Sequence, residues 1–150
     1  MQDFLIEYKN KEYPKFRQIF KLFNLTFNKV VDVGAEIGLS AQLFKEFGAK
    51  EIIGYEIDKT LCDAADRSLF SVYYCREMTK EEYLSYQDYF IKMDCEGCEE
   101  KYLDIIPEHG LISLHDWTPN HLKNAERLWI AGYIPVFHSY DWHEITYLKS

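Results

Sequence analysis

Short blocks of β-branched and aromatic residues alternate along the chain with stretches whose apolar positions recur every three or four residues. KVVDV (29–33) reads as a strand. Beyond it Leu39, Leu43 and Phe47 share one face of a predicted helix that Gly48 can end. EIIGYEI (51–57) predicts a second strand, and Asp58 a cap for a helix reaching about residue 68. LFSVYYC (69–75) predicts a third strand, after which Thr79 and Glu82 form a capping box for a short helix. YFIKM (89–93) predicts the fourth strand, followed by a helix from Glu96 to about Ile106, and GLISLH (110–115) the fifth. Thr118 and Pro119 open a helix with Leu122, Ala125, Leu128 and Trp129 on its apolar side, ending near Gly132. YIPVFHSY (133–140) and WHEITYL (142–148) are close enough to pair as a hairpin. Ahead of all these, Phe16, Ile19, Phe20 and Phe23 line one side of a helix over 14–23, with Pro14 in its first turn.

Five β-then-α units and a closing hairpin predict an α/β fold in three layers. Its sheet is doubly wound, mostly parallel and seven-stranded, with the antiparallel C-terminal hairpin at one edge, a Rossmann-like arrangement. The 150 residues suit one domain, an N-terminal helical segment (1–28) followed by a cofactor-binding sheet (29–150). A site must then be built on that sheet or shared with a second copy, which leaves a homo-oligomer open.

Charge narrows the partners. The net charge is -8, yet residues 1–30 hold six Lys/Arg against three Asp/Glu while the remainder hold eleven against twenty-two. An acidic body repels a phosphate backbone, so nucleic acid is disfavoured. No apolar run approaches membrane-spanning length and MQDFLIEYKN lacks a signal-peptide layout, so a cytoplasmic location without membrane contact is expected. Of four cysteines (Cys62, Cys75, Cys95, Cys98) two form a CxxC among acids, which raise thiol pKa values, and structural thiols are expected there.

Ligands of open parallel sheets lie beyond the carboxyl ends of the strands. Here those ends read VGAEIG, YEID, MDCEG and LHDW, polar or acidic where the strands behind them are apolar. Asp32, Gly34, Glu36 and Gly38 belong to the first turn. Glu56, beside Ile57 at the tip of the second strand, is placed to accept hydrogen bonds from ribose hydroxyls. The turn is G-x-x-x-G, not the dinucleotide G-x-G-x-x-G, and Glu36 would oppose a pyrophosphate but suit a ligand carrying an ammonium and a sulfonium. S-adenosylmethionine is such a ligand.

VVDVGAEIGLS, GYEID and YFIKMDCEGCEE, in that order, resemble the S-adenosylmethionine-dependent methyltransferases of the FkbM family, over roughly residues 29–117. The resemblance implies a methyltransferase fold in which the turn from Asp32 to Gly38 approaches the cofactor, Glu56 holds the ribose, and Asp94 faces the methionine end or the acceptor. Glu36 stands where that family has Asn, and the stretch from Asp58 to Phe90 is short for it, leaving adenine contacts to residues around Cys75 to Met78.

Methyl transfer to a hydroxyl needs a base or a metal to take up the proton. His115 and Asp116, leaving the fifth strand, and Glu96 are the catalytic candidates. Asp94 and Asp116 are candidate ligands for Mg²⁺, with Glu96 adding a third oxygen. Trp117 could wall a pocket for a small-molecule or sugar acceptor. Two rivals stand beside this reading. One is a nicotinamide-linked reductase, for which Tyr55 and Lys59 are the sole Tyr-x-x-x-Lys pair; the other is a non-catalytic binding module on the same fold.

Overall fold

Val30–Val33, Ile52–Tyr55 and Phe90–Met93 are buried on both faces, as the central strands of a parallel sheet must be. The computed structural model describes Pro14, Arg17, Gln18, Lys21 and residues 28–105, 111–115, 121–138 and 144–149. Its strands are β1 (Lys29–Val33), β2 (Glu51–Tyr55), β3 (Val72–Tyr74), β4 (Phe90–Met93), β5 (Leu111–His115), β6 (Tyr133–His138) and β7 (Glu144–Lys149). They lie in the order β3-β2-β1-β4-β5-β7-β6; β3 to β5 across the centre are parallel, and β7 runs antiparallel to both its neighbours.

The chain steps out from β1 to β2 and β3, then returns to add β4 on the other side of β1. That reversal is the switch point at which such sheets bind ligands. The hairpin expectation holds, and within the hairpin the strand antiparallel to the rest of the sheet is the inner one. β7 fills the gap between β5 and β6, and β6, with Pro135 lacking an N–H, takes the edge.

Alternation along the strands sorts the core into two faces. Val30, Ile52 and Phe90 pack with Ala41, Leu43 and Phe44 of α1 (Leu39–Glu46). Val31, Val33, Ile53, Tyr55, Ile91 and Met93 face the opposite layer, with Tyr83 of α3 (Lys80–Ser85), Tyr102 of α4 (Glu99–Tyr102) and Leu128 of α5 (His121–Ile130).

Three predicted helices differ. Beyond Asp58, α2 (Lys59–Ala64) stops early because the Asp66 side chain accepts from Ser68 N and starts a 3₁₀ turn at Arg67–Leu69. That turn absorbs the first residues predicted for the third strand. The helix expected from Glu96 begins only at Glu99, because Glu96 (φ 55) and Gly97 (φ 107) are left-handed. In α5, Leu128 and Asn124 are buried whereas Leu122 and Trp129 are 66% and 73% exposed. A single polar residue turned inward has rotated the predicted face. Pro14, Arg17, Gln18 and Lys21 are helical and exposed; Phe16, Ile19, Phe20 and Phe23 lie outside the described residues. No described helix is long and apolar enough to cross a membrane.

Candidate functional site

At the carboxyl end of β1 the chain makes a turn that only glycine permits. Gly34 has φ +75, and a Cβ on it would stand 1.8 Å from the Asp94 carbonyl oxygen. Asp94 N in turn donates to Val33 O at 2.9 Å, so the β1 turn and the β4 loop lie against each other without intervening side chains. Gly34 N and Ala35 N both donate to Tyr55 O, at 2.9 and 3.1 Å, which binds the same turn to β2.

Glu56 completes this junction. Its buried carboxylate accepts from Glu36 N at 3.0 Å through Oε2, and from Ile57 N and Asp58 N at 2.8 Å each through Oε1. Three of about four acceptor positions of a carboxylate are thus filled by backbone, and among the described residues no partner takes the second position on Oε2.

These ends enclose a cavity of about 530 Å³, within the range of small-molecule sites. Gly34, Glu36, Glu56, Ile57, Asp94 and Glu96, all expected from the sequence, line it. Asp58, Leu61, Arg76, Glu77, Met78, Cys95, Cys98 and Lys101 line it as well. Ile57, 73% exposed, offers an apolar surface on the rim near Leu61 and Met78.

Two expected cofactor residues do not reach the cavity. Asp32 points to the α1 face of the sheet and is fully buried, where Ser40 Oγ donates to Oδ2 and Lys92 Nζ lies 3.0 Å from Oδ1. Burial pushes its carboxyl above the ordinary range, against the lowering by Lys92 and Ser40. Gly38 (φ +102) precedes α1, and a Cβ there would meet Leu69 Cδ1 at 2.9 Å. Its role is to let α1 pack closely on the 3₁₀ turn.

His115 closes β5 opposite Glu144, while Asp116 and Trp117 lie outside the described residues. Asp94, expected as a metal ligand, has Lys92 Nζ at 4.0 Å. Among the described residues no three His, Cys, Asp or Glu side chains gather to hold a metal ion, and Mg²⁺ is not carried forward.

The cavity is electrically lopsided. Its described wall carries six carboxylates (Glu36, Glu56, Asp58, Glu77, Asp94, Glu96) and two cations, and both cations are engaged. Arg76 forks onto Glu82 at 2.8 and 2.6 Å, and Lys101 meets Glu77 at 2.5 Å. Partial burial pushes the Glu36 carboxyl up; Lys92 opposes this, and Asp94, Asp32 and Glu56 add to it.

Sequence reasoning missed Leu61 and Lys101, while Arg76 and Met78 fall in the stretch to which adenine contacts were left. Arg76, two residues beyond the end of β3, lies over Tyr74 (4.3 Å) and Tyr55 (5.6 Å). The CxxC expectation is corrected too: Cys95 and Cys98 are joined in a disulfide, because the left-handed turn at Glu96–Gly97 brings their Cα atoms to 5.5 Å. Cys62 and Cys75 are free thiols.

The chain is 33% identical over 147 residues to "Uncharacterized protein 65" of Sulfolobus islandicus filamentous virus (isolate Iceland/Hveragerdi), covering 93% of this chain and 89% of the relative. It is 30% identical over 151 residues to "Uncharacterized protein 158B" of Sulfolobus islandicus rod-shaped virus 1, covering 91% and 90%. The chain belongs to this viral protein family. No family model matches it.

Among solved structures, a TehB-like SAM-dependent methyltransferase from Corynebacterium glutamicum superposes with a TM-score of 0.55 at 14% identity, over 100% of both chains. Magnesium protoporphyrin IX methyltransferase from Synechocystis PCC 6803, solved with bound SAM, gives 0.59 at 10%, over 97% of this chain and 81% of that one. TrmK of M. capricolum, in complex with S-adenosyl-homocysteine, gives 0.53 at 14%, over 89% and 68%. At these identities the likeness is one of fold: this chain has the fold seen in these S-adenosylmethionine-dependent methyltransferases.

Proposed function

We propose that this protein is an S-adenosylmethionine-dependent methyltransferase acting on a hydroxyl of a small molecule or sugar. The observation that carries the reading is Glu56, held by three backbone N–H groups at the tip of β2 with one acceptor position left, on a sheet whose switch point lies beside it. The cavity's excess of carboxylates supports a cationic ligand over a pyrophosphate-bearing dinucleotide. The order of Lys92, Asp94, Glu96, Gly97 and Glu99 supports the finer likeness to FkbM enzymes.

The residues present fit the adenosyl ligand. Glu56 would accept a ribose hydroxyl, Ile57 and Met78 would flank the adenine, and the turn at Gly34 would approach the methionine portion. Bound there, the ligand supplies an electrophilic methyl group on sulfur. The protein's work is then alignment and exclusion of water. Asp94 and Glu96 border the part of the cavity reached from β4, and His115 at the end of β5 is the residue suited to take the acceptor's proton near neutral pH.

A reductase reading loses its tyrosine. Tyr55 is buried, its hydroxyl 2.7 Å from that of Tyr86, and burial pushes it above the ordinary phenol range, the wrong direction for a proton donor near neutrality.

Isothermal titration of wild type and Glu56→Ala with S-adenosylmethionine and NADH tests the proposal. The expected result is saturable binding of the adenosyl ligand, weakened about tenfold or more in the variant, since a charged hydrogen bond contributes about 1.5–3 kcal/mol. Preference for NADH, or binding indifferent to Glu56, would overturn it.

A further inference from the structure

The wall of the cavity contributed by β4 ends in a ring of four residues, Cys95 to Cys98, closed by a disulfide. Both cysteines are half-buried, and both line the cavity. Inside the ring Glu96 (φ 55) and Gly97 (φ 107) are left-handed, a conformation a glutamate side chain disfavours. Two constraints hold it: the disulfide and the buried carboxylate of Glu99, which accepts from Cys95 N at 3.1 Å and Gly97 N at 2.8 Å. The residue before the ring, Asp94, has its carbonyl pressed against Gly34, so a shift of this loop passes directly to the turn after β1.

We propose that the Cys95–Cys98 disulfide is a redox gate on the cavity: oxidised, it holds the loop in the ligand-binding shape, and reduction by a dithiol releases the loop and weakens binding. The readout by ligand rests on the methyltransferase reading above. The exchange balances. Thiolate attack breaks the Cys95–Cys98 bond, a second attack within the mixed disulfide closes the reductant into its own disulfide, and two electrons and two protons end on the cysteine sulfurs. The other pair does not share this exposure to the cavity. Cys62 is buried with its thiol donating to Glu56 O at 3.5 Å, and burial together with the Cys75 thiol pushes it up to about 11.

The test compares air-purified and dithiothreitol-reduced protein. Thiol titration in denaturant should find two thiols, then four after reduction, since Cys62 and Cys75 alone are free. Hydrogen exchange without ligand should quicken at the amides of residues 95–99 on reduction. S-adenosylmethionine affinity should fall about tenfold. The double variant Cys95→Ser, Cys98→Ser should bind like reduced wild type with or without dithiothreitol. Four thiols before reduction, unchanged exchange, or equal affinity in the two forms would each overturn the gate. If neither form binds the adenosyl ligand, the functional reading fails, and the exchange comparison decides the gate by itself.

Discussion

Replacing Lys92 by methionine removes a cation that three oxygens share. Lys92 sits opposite Asp32 in the β1–β4 register, with Nζ 3.0 Å from Asp32 Oδ1, 3.4 Å from Gly34 O and 4.0 Å from Asp94 Oδ2. Asp32 is 0% and Lys92 7% exposed, so solvent cannot replace the lost charge. Breaking a buried pair from one side costs about 3–5 kcal/mol, and we expect about 3 kcal/mol here because Ser40 still donates to Asp32. The pH dependence fixes the cause. A carboxyl whose value is raised on folding lends stability below its unfolded value of 3.8 and loses it as pH climbs through the folded one. Losing Lys92 raises Asp32 further, so the variant should go on losing stability above the pH at which wild type has stopped, and its deficit should widen as pH rises. Asp32→Asn in the Lys92→Met background should restore most of the loss, giving a coupling of about 2 kcal/mol in urea unfolding. Effects that add to within about 0.5 kcal/mol, or a deficit flat with pH, would refute the reasoning.

Gly34→Ala should lose about 3 kcal/mol or more in thermal unfolding and all ligand binding by calorimetry, since its Cβ would strike Asp94 O. Gly48→Ala, at a similar φ of +93 with open space around it, should lose only about 1 kcal/mol. Glu36→Gln should flatten the fall in stability as pH rises above 4.5, the ordinary value of a carboxyl that folding has raised; an unchanged pH profile of the unfolding midpoint would show that Glu36 does not titrate in this range.

Strand content was legible because the central strands are apolar on both faces and end in polar residues, as at Tyr55–Glu56 and Met93–Asp94. The capping box at Thr79 and Glu82 was legible for a local reason, since both partners lie within one turn: Thr79 Oγ1 accepts from Glu82 N, and Glu82 accepts from Thr79 N. The failures are cases where a side chain competes with a regular backbone or tertiary packing overrides periodicity. Asp66 ended a helix whose apolar pattern continued, and Asn124 was drawn inward past Trp129. Asp32 looked like a ligand residue because it lies at the motif, but a strand position facing α1 cannot also face the end of the sheet. Glu36 lies at φ 48, a left-handed region that Asn tolerates better than Glu, so nothing local in the sequence signalled this turn's backbone conformation.

Glu82 has one further consequence. Its Oε2 receives both Thr79 N, which starts α3, and Arg76 Nη1, which walls the cavity, while Oε1 receives Arg76 Nη2. One carboxylate therefore serves a helix end and a cavity wall that are three residues apart, on either side of Glu77 and Met78. Drift at 76, 79 and 82 cannot proceed one position at a time without unseating the other two. Among the viral relatives these three positions should change together, and a lineage that has lost the glutamate should have rebuilt both the turn and the wall.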